Sequence, residues 1–211
     1  MADGMNPQER DAWVAKRVGK ITASRMSDVV LRKKDGNPYS TYGDYQAEII
    51  LERLTGRATD HFVSKPMEIG IEREPEAAFA YAMETGQDLD FSDFVDHPKI
   101  AMSGASPDRL VGSDGLLEIK CPQPKAHLDF LMIGVAPDNY YWQCQWQMAC
   151  TGRAWCDLYY YNPDFPAHLQ ARAVRIERDA AHVEEAEEKV AEFHAKIERR
   201  IELLNEAGLP F

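Results

Sequence analysis

The stretch SPDRLVGSDGLLEIKCP, residues 106–122, reads as two short strands joined at SDG, residues 113–115. Ser, Asp and Gly between two apolar runs are a hairpin signal. In the second strand, alternation puts Leu116, Glu118 and Lys120 on one side and Leu117, Ile119 and Cys121 on the other. An acid and a base then share one face, about 6–7 Å apart along the strand. Asp108 lies across the hairpin and can return to Glu118. Two carboxylates from adjacent strands make a pocket for a hard divalent cation such as Mg²⁺. A lysine beside it can orient or deprotonate an attacking water and offset the charge that builds on a phosphate. Glu-x-Lys alone is also ordinary exposed strand charge. It is the Pro-Asp ten residues earlier, with the turn between, that lends it weight.

Outward from this hairpin the pattern is mixed. Before it, PQERDAWVAKRVG (7–19), TASRMSDVVLRKK (22–34), TYGDYQAEIILERLTG (41–56) and KPMEIGIEREPEAAFAYAMETG (65–86) read as helices, the last two closed by Gly56 and Gly86. Pro75 in the last fits only near a helix start or at a kink. LDFSDFVDH (89–97) and IAMSGASP (100–107) read as further strands. After the hairpin, PDNYYWQCQWQMACTG (137–152) is helical, AWCDLYYYNP (154–163) and LQARAVRIER (169–178) are strands, and Asp179 to Gly208 is one long charged helix. Its apolar stripe is Val183, Val190, Phe193, Ile197, Ile201 and Leu204. The expectation is an α/β (α+β) domain spanning residues 1–211, with one central mixed sheet flanked by helices.

With 211 residues, 45% apolar and 28% charged, the chain has the composition of a folded globular domain. No apolar run is long enough to span a bilayer and the first residues lack a signal-peptide core, so a cytoplasmic location with no membrane partner is expected. The net charge of −11 argues against a uniformly basic nucleic-acid binder. The charge is uneven, however: residues 1–34 carry eight Lys/Arg against four acids, while residues 177–206 carry five against ten. Cys144, Cys150 and Cys156 fall every sixth residue, yet with no close-spaced ligand pair they and Cys121 read as reduced, mostly buried thiols.

With SPD…LLEIKCP in place, four motifs occur in order: RVGKITAS (17–24), GIEREPEAAF (70–79), the hairpin itself, and YWQCQWQMACTG (141–152), followed by YYYNP and a long terminal helix. In this the chain resembles the PD-(D/E)xK nucleases, and among them the lambda-exonuclease and YqaJ type of viral recombination nuclease. The resemblance implies a restriction-endonuclease-like core and an Mg²⁺-dependent 5′→3′ double-strand DNA exonuclease, with Mn²⁺ able to substitute. It would release 5′-mononucleotides from a linear end and leave a 3′ tail for a single-strand-annealing recombinase. It further implies a ring-shaped homotrimer. Asp108, Glu118 and the backbone carbonyl of Ile119 would hold the metal, and Lys120 would face the water. Glu74, otherwise an exposed helical acid, would add a carboxylate toward a second ion, directly or through water. Arg17, Ser24, Ser106 and Gln145 match a pocket for a 5′-phosphate. Ser24 also reads as a helix cap and Ser106 as a turn hydroxyl. Gln143 and Gln145 cannot share one helical face, and Gln145 is favoured. Lys33 and Lys34 would contact the DNA backbone, and Met67, otherwise a core residue, stands where the family has a strand-separating wedge. The aromatics of YYWQCQW could stack on bases, though packing is their simpler role. Where the family commonly has Gly after Pro-Asp, this chain has Arg109, which is strained if the position needs positive φ and could otherwise reach the DNA. The alternatives are another PD-(D/E)xK endonuclease or repair nuclease, and a DNA-binding protein with a vestigial site.

Overall fold

The computed structural model describes residues 12–59 and 65–206, with only the backbone at Pro66 and Met67. In chain order come β1 (Ile21–Thr22), a single 3₁₀ turn, α1 (Met26–Val30), α2 (Ser40–Thr55), α3 (Lys65–Thr85), β2 (Leu89–Phe91), β3 (Val95–Asp96), β4 (Ser103–Ala105), β5 (Arg109–Val111) and β6 (Gly115–Lys120). Then follow α4 (Pro124–Ile133), α5 (Asp138–Thr151), β7 (Trp155–Tyr161), β8 (Ala171–Glu177) and α6 (Ala180–Glu206). No helix among the described residues is long and apolar enough to cross a membrane.

The strands form two sheets rather than one: a five-stranded sheet in the order β2-β5-β6-β7-β8, and a three-stranded sheet β1-β4-β3. Only β6–β7 is parallel in the larger sheet, and only β1–β4 in the smaller. The division falls between β4 and β5, where Pro107 has no N–H to give to a ladder. The expected hairpin is present, with Arg109 opposite Leu117 and Val111 opposite Gly115. Gly112 supplies a positive φ of 49° at the turn, and a Cβ on Gly115 would lie 2.1 Å from the Trp155 ring. That position therefore admits no side chain.

The alternation of β6 separates two cores. Leu117 and Ile119 pack with Tyr159, Tyr161 and the Ala77, Ala78 and Tyr81 face of α3. Leu116 packs on the other side with Leu158, Tyr160, Phe130 of α4, and Cys144 and Met148 of α5. Helix α5 is buried from Trp142 to Cys150 because its far side meets a third core, formed by β1, α1, α2 and α6. There Phe193 lies edge-on to Tyr42 with centroids 4.8 Å apart. The α6 stripe holds for Val183, Val190, Phe193 and Ile197, while Leu204 is exposed. Pro75 sits mid-helix in α3, not at its start. It is on the solvent side, where water can satisfy the carbonyl it deprives of a partner. The sequence reading missed α4, although it has a helix starter in Pro124 and a left-handed cap in Gly134 (φ 65°).

Candidate active site

Strand β5 pairs with β6 only as far as Leu117. Beyond that point the β6 edge is open, and the Ile119 N–H donates instead to Asp108 Oδ2 at 2.6 Å. A residue in a strand turns its N–H and C=O toward the same neighbour, so the Ile119 carbonyl also points to the Asp108 side. Asp108 is 5% exposed. Burial, then the nearby charges of Glu118 and Glu74, push its carboxyl up to about 8, against a small opposing effect of Lys120. Burial and the two neighbouring carboxylates thus act together against its charged form.

Glu118, 1% exposed, is on the α5 side of the sheet. Its Oε1 accepts from Lys120 Nζ at 2.5 Å and from Gln143 Nε2 at 2.6 Å, and its Oε2 accepts from Gln147 Nε2 at 2.6 Å. Lys120 reaches Glu118 because both occupy one face of β6, as the alternation requires. Burial alone would lower the Lys120 pKa, but Glu118 and Asp108 outweigh it and hold the ammonium charged. The Tyr140 ring lies 4.6 Å from its Nζ.

Glu74, 8% exposed, comes from α3 on the opposite side. Residues directly opposed across a hairpin share a face, so Arg109, paired with Leu117, also faces α3. Arg109 Nη1 donates to Glu74 Oε1 at 3.0 Å and to the Asp108 backbone carbonyl, and the guanidinium lies 4.4 Å from the Phe91 ring centroid. Arg109 is in extended backbone with no positive φ, and it is 7% exposed, so it is neither strained nor turned outward to DNA. Asp108 thus stands at the sheet edge between Glu118 on one face and Glu74 on the other. For that reason no three His, Cys, Asp or Glu side chains among the described residues close on one point. This holds for the cysteines too: all four are free, with Cys144, Cys150 and Cys156 buried.

Two members of the expected phosphate pocket meet: Arg17 Nη1 donates to Ser106 Oγ at 3.2 Å. Burial lowers the Arg17 pKa, with Tyr45, Glu118 and Glu52 acting in the opposite sense, so Glu118 is within electrostatic reach of the pair. Ser24 is exposed, with its hydroxyl 3.4 Å from that of Thr22, and caps no helix. Gln145 is not at this pocket. Its Nε2 donates to the Glu177 carbonyl at 2.8 Å and its Oε1 accepts from Asp179 N–H at 3.0 Å, which ties α5 to the start of α6. The helix turns Gln143 and Gln147, four residues apart, toward Glu118 instead. Lys33 and Lys34 lie exposed on the loop closed by the Arg32–Pro38 bridge, away from the carboxylates' contacts. The Met67 side chain lies outside the described residues. Sequence reasoning missed Gln147, and it turned Arg109 toward DNA and Tyr140 toward bases or packing rather than toward the carboxylates and Lys120. The QCQWQ spacing could have shown the first, and the hairpin register the second.

The arrangement is a set of buried carboxylates at a sheet edge, with a charged lysine on one face and a guanidinium–hydroxyl pair, Arg17 with Ser106, within electrostatic reach. The chain matches the family model described as the YqaJ-like viral recombinase domain over residues 12–154. Among solved structures it is similar to an alkaline exonuclease, LHK-Exo, from Laribacter hongkongensis. The identity is 42% over 93% of this chain and 97% of that one, with a TM-score of 0.87. The same enzyme in complex with dAMP gives 42% identity over 93% and 97%, with a TM-score of 0.88. A phage-related exonuclease from Haemophilus somnus 129PT, 15% identical over 90% and 96% with a TM-score of 0.68, shares the fold. No curated protein matches the chain.

Proposed function

The chain belongs to the YqaJ-like viral recombinase family, and on that premise we propose that it is a divalent-cation-dependent exonuclease that degrades one strand of a linear DNA duplex from its 5′ end. The coarse activity, a DNA exonuclease of the alkaline-exonuclease type, follows from the family and from 42% identity over nearly the whole chain. The single observation that carries the finer reading is the buried contact of Asp108 Oδ2 with the Ile119 amide at 2.6 Å, beside the Glu118–Lys120 pair. Two carboxylates and a backbone carbonyl are hard oxygen donors and fit Mg²⁺, with Mn²⁺ as a substitute. Two such ions, the second toward Glu74, complete the set. A cation held there would stabilise charge on the scissile phosphate and make water a better nucleophile.

The chain's own residues do the rest. Gln143 and Gln147 fix the Glu118 carboxylate, and Lys120 holds a proton-bearing ammonium where water and phosphate would meet. Arg17 and Ser106 offer a forked charged donor and a hydroxyl for a terminal 5′-phosphate, which an internal bond lacks. Products are 5′-mononucleotides and a 3′ single-stranded tail for a strand-annealing recombinase. The working form is a homotrimeric ring, acting in the cytoplasm of a bacterial or phage-infected cell.

The test is digestion, with Mg²⁺, of linear duplexes carrying 5′-phosphate or 5′-hydroxyl ends, each strand end-labelled. The 5′-phosphorylated strand should be lost preferentially, and Arg17→Gln should remove that preference. Attack from 3′ ends, or cutting of covalently closed circles, would overturn the reading.

A further inference from the structure

The carboxylates on the two sides of Asp108 are neutralised in different ways. Glu118 is held by two uncharged amides and by Lys120, whose own head is partly open to solvent with a side-chain exposure of 22%. Glu74 is held by Arg109, and both members of that pair are buried. A guanidinium cannot lose its proton, so the charge beside Glu74 is permanent. Asp108 also places its backbone carbonyl on the same guanidinium, which anchors Arg109 one residue from the central carboxylate. Sheet register enforces this: Arg109 stands opposite Leu117 and so always projects toward α3.

The charge count gives the consequence. Of the three carboxylates, Glu118 is ion-paired to Lys120 and Glu74 to Arg109, while Arg17 is turned to Ser106, so within these contacts Asp108 carries the charge left over when it is ionised. One divalent ion reverses the remaining negative charge. A second, before any phosphate arrives, would enter a site already positive and close to a guanidinium. The geometry points to Arg109 as a positioning residue that holds Glu74 and supplies the positive charge on its side of Asp108, limiting the DNA-free protein to one tightly bound divalent cation. This rests on the divalent-cation reading of the site. It adds that the capacity of the site is set by a residue of the chain itself.

The probe is Mn²⁺, titrated into DNA-free protein and followed by the electron paramagnetic resonance signal of the unbound ion. Wild type should bind one ion tightly. Arg109→Gln should bind a second, about tenfold to a hundredfold more tightly than wild type does, because a unit charge a few ångströms away has been removed. Arg109→Lys keeps the charge and should stay at one. The double variant Arg109→Gln with Glu74→Gln removes both charges and should return to one, and it serves if the single variant fails to fold. Two equally tight ions in wild type would overturn the inference, as would an unchanged second-ion affinity in Arg109→Gln or, should that variant not fold, a double variant that binds two ions tightly. No ion in wild type would instead sink the cation reading of the site as a whole.

Discussion

The two faces of β6 make an instructive pair. On the α5 face a buried carboxylate, Glu118, is met by Gln143, Gln147 and Lys120. On the α3 face a buried carboxylate, Glu74, is met by Arg109 amid an otherwise apolar core of Ala77, Ala78, Tyr81, Leu117 and Ile119. Two of the three partners of Glu118 are amides, which satisfy lone pairs without cancelling charge, and its one cation, Lys120, is more exposed than Arg109 is, at 22% against 9%. A buried guanidinium cancels that charge outright. On the proposed reading, the α5 face keeps its carboxylate for a cation, whereas the α3 face pairs its carboxylate within the chain.

The sharpest way to break this contrast is at Glu118. Glu118→Ala or Asp108→Ala should lower strand digestion on the order of a thousandfold or more, as loss of several kcal/mol of transition-state stabilisation requires. Duplex binding in a filter assay should be retained. Digestion that persists would remove the α5 face from the chemistry. Next is Arg109→Met, which leaves Glu74 buried with its guanidinium gone and should cost about 3–5 kcal/mol in urea unfolding. Glu118→Gln should cost less, because Gln143 and Gln147 can turn their amides to pair with the new one and Lys120, 22% exposed, can turn to solvent.

Gln147→Leu should destabilise the fold by roughly 1–3 kcal/mol, the cost of an unsatisfied buried acceptor, and reduce activity about tenfold or more. If Gln145→Leu proves more damaging to activity than Gln147→Leu, the facing of α5 is wrong. The smallest effect concerns pH. Asp108 titrates higher in the folded state than unfolded, so the folded form binds the extra proton between about 4 and 8. Stability of the metal-free protein should therefore fall as pH rises through that window. Asp108→Asn should flatten the slope and raise Tm at pH 8 by roughly a few degrees. An identical pH slope in both proteins would mean that Asp108 ionises freely.

Strand alternation was enough to put Glu118 beside Lys120, and the hairpin brought Asp108 back to them. These relations are local, fixed by backbone period and a tight turn. The helix caps at Gly56, Gly134 and Gly152 are local in the same sense. What escaped depends on which side of an element meets which neighbour. The choice between Gln143 and Gln145 needs the orientation of α5, a helix buried nearly all round and so without a polar face to read. The one expected sheet divides at Pro107, which has no N–H to give to a ladder. Arg109 could have been assigned from register alone: pairing 109 with 117 puts it on the face opposite Glu118. Its partner on α3, by contrast, is a long-range contact that no local pattern reveals.

Because β5 leaves β6 early, the Ile119 amide donates directly to the central carboxylate, with its nitrogen 2.6 Å from Asp108 Oδ2. Its resonance is therefore a built-in gauge. In ¹⁵N-labelled protein that crosspeak should shift when Asp108 ionises, and shift again when a diamagnetic ion such as Mg²⁺ arrives. It would report occupancy of the site without substrate, label or turnover.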